Sequence, residues 1–375
     1  MNRKNLQSIF QKYIENFEIL NNEKNDETYK WEIAEEFQKF DVDADDFVGM
    51  LTRMLKASCN LIDSAQQLPF SALVDYAGRE PDTVREMFRK LYAEEHLDIE
   101  SKQRLIDEFI KSSEELRAKY YPESHLYINN QRSVMMYLFL RYPNSNYGYK
   151  ASQAKSFADC IEFYDDWGPM NDFRLDVFSR MCEQLIEEIK VNDALMETHR
   201  SRFANTTRKL HPDENLHILA LDIIFSSQAY NFYGDMEFKP INTQSRKLHF
   251  ERVAKAKELS EALEKAKEEM QKLTEAKEYL AQNIKKGMSV KHTKFGEGIV
   301  KECSGTLISI FFPSLNETKK IGIHIAVGNN SLFLQSLGVE EKIKEYAPFL
   351  SKENHIPIVY ANAEKELQPY IEYLN

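Results

Sequence analysis

Apolar positions along residues 1–235 recur at steps of three and four. Leu6, Ile9, Phe10, Tyr13, Ile14 and Phe17 share one face of an opening amphipathic helix. Trp31, Ala34 and Phe37 repeat the pattern within residues 29–40, and residues 47–55 resume it after an acidic break, DVDADD. Pro81 stands where a first-turn proline belongs, ahead of Val84, Met87, Phe88 and Leu91. The same period predicts helices over residues 99–119, 131–141, 173–190 and 216–230. Strand signals are few here, so residues 1–235 read as a multi-helix domain.

The pattern then changes twice. Residues 236–286 begin with a linker and continue as a stretch rich in Ala, Glu, Lys and Leu, the composition of a long exposed helix. Leu259, Leu263, Ala266, Met270, Leu273, Leu280 and Ile284 keep alternating four- and three-residue steps, broken only at Lys277. That is a heptad seam. It serves either a strut lying on its own chain or a homodimeric coiled coil through residues 250–285.

Residues 287–337 alternate instead. Val290, Ile299, Val300, Leu307, Ile308, Ile310 and Phe311, then Ile321, Ile323 and Ile325, predict short strands separated by FGEG, CSGT and PSLNET. Such spacing describes a small curled barrel. Residues 338–375 read as a mixed α/β tail: a helix from Val339, an apolar run IPIVYA, and a final helix ending near Tyr370 and Tyr373. The fold class is therefore mainly α, with a long connecting helix and a small C-terminal β-barrel.

Composition narrows the functional classes. The 375 residues include 42% hydrophobic and 12% aromatic side chains, enough to build cores, so global disorder is excluded. Only 12 glycines are present, fewer than the tight turns and phosphate loops of an α/β enzyme of this size demand. The net charge of −11 argues against a surface coated for nucleic acid but permits a local basic patch. Cys59, Cys160, Cys182 and Cys303 lie too far apart for a C-x-x-C pair, so reduced, mostly buried thiols are expected. The polar opening residues and the lack of a membrane-length apolar run read as a cytoplasmic, soluble chain.

Candidate chemistry is sparse. DVDADDFVG resembles a calcium loop only superficially, because Asp46 and Thr52 stand where glycine and glutamate are required. Asp45 or Asp46 capping the next helix explains it better. The two histidines of HPDENLH, His211 and His217, are six apart, wrong for one helical face, whereas Asp213 suits a helix start. No nucleotide-binding or nucleophile-elbow motif occurs, so no cofactor is expected and enzymatic activity is unsupported. Residues 127–155 interleave aromatics with cations, which makes Arg141, Tyr147, Tyr149 and Lys150 candidates for stacking on bases and meeting phosphates. The competing reading anchors those tyrosines in the core after Pro143.

Two resemblances add expectations. YKWEIAEEFQKF, the stretch NLIDSAQQLPFSALVDYAGREPDTVREMFRKLYAEE, LRAKYYPESHLYINNQRSVMMYLFLRYPNSNYGYK and LHPDENLHILALDIIF together resemble a helical region. That region precedes the motor of McrB-like, modification-dependent restriction proteins, and the resemblance covers about residues 1–233. It implies target recognition or assembly in restriction or phage defence, although no motor or nuclease motif follows here. V-K-H-x-K-F-G-E-G-I-V, I-S-I-F-F and K-K-I resemble the SH3/Tudor-like barrel of UvrD/PcrA-type helicases, over about residues 287–334. That resemblance implies a module binding DNA or a DNA-acting protein: a motor, a nuclease or RNA polymerase. Lys285, Lys286, Lys291, Lys294, Lys301, Lys319 and Lys320 outnumber Glu297, Glu302 and Glu317 around it. The candidate contact residues are Lys291, His292, Lys294, Phe295, Lys319 and Lys320. The leading reading is a non-catalytic adaptor; the alternatives are an effector, such as a nuclease, with an unrecognised active site, and a dimeric protein–protein scaffold.

Overall fold

Helices form where the three- and four-residue period predicts them, among them Arg3–Glu15, Tyr29–Phe37, Phe47–Ser58, Pro81–Leu91, Ile99–Tyr120, Gln131–Arg141, Leu175–Lys190 and His217–Ala229. The computed structural model describes residues 1–58, 61–204 and 206–374, so Cys59 lies outside the described residues. The chain divides into two units, Met1–Thr243 and Gln244–Asn375. Helix accounts for 60% of it, which settles the class as mainly α.

In the first unit, helices Gln131–Arg141 and His217–Ala229 are apolar on nearly every face. Val134 through Leu140 are all buried, as are Ile218 through Ile224. A helix without a polar side has to sit in the middle, and the amphipathic helices supply the shell. Three helices that the periodicity did not single out complete it: Pro69–Arg79, Ala151–Cys160 and Asp193–Ser201. Cys160 and Cys182 are free and buried in this core. Local polar chemistry sets the helix starts. Asp98 accepts from Ser101 N at 2.8 Å, and Asn130 with Ser133 forms a capping box. The DVDADD break is a cap of the same kind, since the Asp46 carboxylate accepts from Gly49 N at 2.9 Å.

The second unit holds one antiparallel sheet: β1 (Ser289–His292), β2 (Gly296–Ser304), β3 (Leu307–Phe312), β4 (Glu317–Gly322) and β5 (Leu332–Phe333). Its order is β4-β3-β2-β1-β5, a curled half-barrel with β4 and β5 as its edges. Val290, Val300, Ile308, Ile310 and Phe312 point inward and are fully buried. The two glycines of the first hairpin have different reasons to be there. Gly296 takes φ +79° for the reversal. Gly298 is needed for space, because a Cβ there would lie 2.5 Å from Ile310 Cγ2 and 2.8 Å from Phe312 Cε1.

Two expectations need correction. Ile323 and Ile325 belong to a short helix, Ile323–Gly328, not to a strand. The alternation that suggested a strand coexists with an i, i+3, i+4 set, Ile323, Ala326 and Val327, and that set is the one buried. The tail is built of helices joined by a turn, with no strand among its described residues, rather than mixed α/β. IPIVYA opens the helix Ile356–Leu367 with Pro357 in its first turn, after the helix Leu337–Leu350.

The heptad seam lies on a helix of 41 residues, Thr243–Asn283. Leu273, Ala276, Leu280 and Ile284 enter the core beneath the sheet. Farther back, the tail returns along the same helix. Lys277 meets Glu353 at 3.5 Å, and Arg252 donates to the Tyr373 hydroxyl at 2.7 Å. Between them Tyr360 is raised by its hydrogen bond to Glu364, with a smaller push from Glu264 on the long helix. One partner's number climbs as the other's falls, so the two segments run antiparallel. This register puts Leu367, buried, level with Leu259, buried. Leu259, Ala266, Leu273 and Leu280 of the seam are buried within the chain, as a strut lying on its own chain requires. Leu263→Lys is accordingly expected to leave the mass in light scattering unchanged while lowering the melting temperature of this unit.

Candidate interaction site

The residues expected to touch a partner in the second unit divide among three places. Lys291 and Lys320 stand on the outer face of the sheet, as the register requires: Lys291 lies opposite Phe333 and Glu297, and Lys320 opposite Ser309. Ile299 pairs with Phe311 in the neighbouring row. Ile299 and Phe333 are each 39% exposed and Leu307 is 50% exposed, so this face is apolar between its lysines. Lys301, at a bulge in β2, lies 5.1 Å above the Phe311 ring. Lys319 alternates to the opposite side of β4, where it pairs with Glu317 at 2.5 Å. The two adjacent lysines therefore do not act as one patch.

His292, Lys294 and Phe295 form the β1–β2 turn. The His292 ring stacks on Phe295 at 4.5 Å, and Phe295 leans on the buried Phe312 at 5.3 Å. His292 Nδ1 accepts from Lys294 N at 3.1 Å. Burial, then the Lys294 charge, push this imidazole below its usual pKa, so it is neutral near pH 7. The two rings thus brace the turn, while Lys294 is exposed at its tip.

In the first unit the interleaved aromatics and cations turn inward. Tyr149 is 1% exposed and stacks on Phe173 at 4.0 Å, which removes it from any partner surface. Tyr147 is half-buried against His217 at 4.2 Å. Lys150 donates to the Leu61 carbonyl at 2.5 Å, and burial pushes it down to about 8. Arg141 covers the Tyr142 ring at 4.9 Å and stays half-exposed. Pro143 turns this segment into the core, so the sequence motif is mainly a packing device.

The structure also assembles a charge cluster that no spacing announces. Lys30, fully buried, donates to both Asp222 and Glu27. Tyr13 donates to Asp222 at 2.5 Å, and Arg202 donates to Tyr13 at 2.8 Å, to Thr28 at 2.7 Å and to Asn21 at 2.5 Å. Tyr230 closes the other end on Glu27 at 2.5 Å, and the Arg202 guanidinium lies 3.8 Å above the Trp31 ring. Two cations and two carboxylates balance, and these groups are spent on one another. Their scatter over positions 13 to 230 left only the bare residue types as a signal.

Beside it, Asp213 starts helix His217–Ala229 by accepting from Ile218 N and Leu219 N, each at 2.9 Å. Its carboxyl is pushed up to about 7 by burial, and burial pushes His199, 4.0 Å away, down to about 4. The two effects on stability oppose each other. A depressed histidine stabilises above its unfolded pKa of about 6.5 and loses that as pH falls toward 4; a raised carboxyl stabilises at low pH and loses that as pH rises toward 7. Between pH 4 and 6.5 the pair is expected to be nearly neutral. His199→Asn is predicted to make stability fall with rising pH, and Asp213→Asn to make it rise, each by about 1 kcal/mol per pH unit in urea titrations.

No helix among the described residues is long and apolar enough to cross a membrane. No protein-family model, no curated protein and no solved structure matches this chain.

Proposed function

We propose that the chain is a non-catalytic recognition or adaptor protein, an accessory of bacterial restriction or phage defence. Its C-terminal unit is taken as a Tudor-like module that docks on DNA or on a DNA-acting protein. The observation that carries this reading is the outer face of the sheet, where Lys291, Lys301 and Lys320 surround exposed Ile299 and Phe333 in a chain of net charge −11. A local cationic, partly apolar surface on an acidic protein favours an anionic partner. The assignment to restriction or defence rests on the resemblance of residues 1–233 to the helical region of McrB-like proteins. The adaptor role fits the way the buried charges of the helical unit satisfy each other rather than face an opening.

The test is a titration of the full chain with labelled single-stranded and duplex DNA at stepped salt, run beside affinity capture from a bacterial lysate. DNA binding is expected to weaken steeply with salt, and Lys291→Glu with Lys294→Glu to weaken it about tenfold on every sequence. A protein partner would be retained by the wild type and lost by the double variant. If neither ligand distinguishes the two proteins, the docking reading is overturned.

A further inference from the structure

The β4 edge adjoins the lysine-lined face, and the two together specify a partner more narrowly than charge alone. β4 is six residues long, pairs only with β3, and has no other strand beside it among the described residues. Edge strands are ordinarily blunted by shortness, a proline, a bulge or charge. β4 carries no proline, its pairing to β3 runs without a register shift from Leu307↔Gly322 to Phe312↔Glu317, and its length is ordinary. Charge is the one such device it has, and that charge is unbalanced. Lys319 is neutralised by Glu317, whereas Lys320 has no ion pair among the described residues.

Resting on the docking reading above, we propose that β4 and the adjoining outer face receive an extended protein segment in which apolar and acidic residues alternate. Added as a sixth strand, such a segment bonds its main chain to the free edge of β4. Its acidic side chains come level with Lys320 on the outer face, and its apolar ones, pointing to the other face, extend the row of Ile308 and half-buried Ile321 at the rim of the core. The free edge favours protein over nucleic acid. The unpaired main-chain donors and acceptors of β4 match those of another strand, whereas a phosphate backbone has no N–H to donate to the edge carbonyls. A second copy of this chain fits poorly, because edge-to-edge pairing of two β4 strands brings lysines against lysines.

The experiment uses the full chain and a fluorescein-labelled peptide alternating valine and glutamate. Its controls are the same peptide with lysine for glutamate, and a labelled single-stranded DNA. The acidic peptide is expected to bind at least about tenfold more tightly than the basic one. Lys320→Glu, an exposed substitution whose folding is checked by circular dichroism, should abolish that preference. Hydrogen exchange should show residues 317–322 gaining protection in the peptide complex. Equal binding of both peptides, or β4 amides unchanged on binding, overturns the inference. If the DNA binds through the lysine face and the acidic peptide does not, the docking reading stands and this inference falls. If neither binds and the lysate yields no lysine-dependent partner, both fall.

Discussion

Asp222→Ala is expected to destabilise the helical unit by about 3–5 kcal/mol, the cost of breaking a buried ion pair from one side. Asp222 is fully buried and accepts from Lys30 and Tyr13, with Arg202 Nη2 3.6 Å away. Its removal leaves two buried cations facing a single carboxylate, Glu27. Lys30 is fully buried and has no route to water, so the lost partner is not replaced by solvent. Urea unfolding read by near-ultraviolet circular dichroism, with Trp31 as a reporter beside the cluster, should show the midpoint shift. The double variant Asp222→Ala, Lys30→Met should recover part of the loss, because it deletes the stranded charge as well. A midpoint unmoved by Asp222→Ala would mean that the cluster contributes nothing net.

Gly298→Val should unfold the sheet while sparing the helical unit. Even the first added carbon would sit 2.5 Å from Ile310 Cγ2, and Ile310 and Phe312 are both fully buried with nowhere to retreat. Overpacking of this kind costs about 1–3 kcal/mol where neighbours can give, and more where they cannot. Hydrogen exchange resolves the two units. Residues 289–312 should lose protection in the variant while residues 131–141 keep theirs. Gly296→Ala makes a useful comparison, since its cost comes from φ +79° and no clash, and is about 1–2 kcal/mol. A Gly298→Val sheet as protected as the wild type would show that the close approach of β2 to β3 relaxes easily.

Periodicity carried most of the architecture, since a helix with one apolar face announces itself wherever Val84, Met87, Phe88 and Leu91 fall on one side. It was ambiguous where two periods coincide. Ile321, Ile323 and Ile325 alternate, but the buried trio of Ile323, Ala326 and Val327 decided for helix. The heptad seam was legible as a seam and silent about its partner, because an antiparallel match to residues some hundred positions later leaves no local trace. Charge and aromatic content at Arg141, Tyr147, Tyr149 and Lys150 suggested a surface. Pro143 and the apolar helix before it turned much of that stretch inward, and composition does not encode direction. The cluster around Asp222 was illegible for the same reason that it is stabilising: its members meet only after five separate segments have packed.

The returning tail also sets how this unit bears load. A 41-residue helix is about 60 Å long, and the sheet packs on its far end. Tyr373 nevertheless lies beside Arg252, near the start of that helix. A pull applied between residues 252 and 373 would peel the two helical segments apart one turn at a time, each turn giving way before the next is strained. The sheet would feel tension only after the helices had parted, so the lysine face would survive forces that open the stalk.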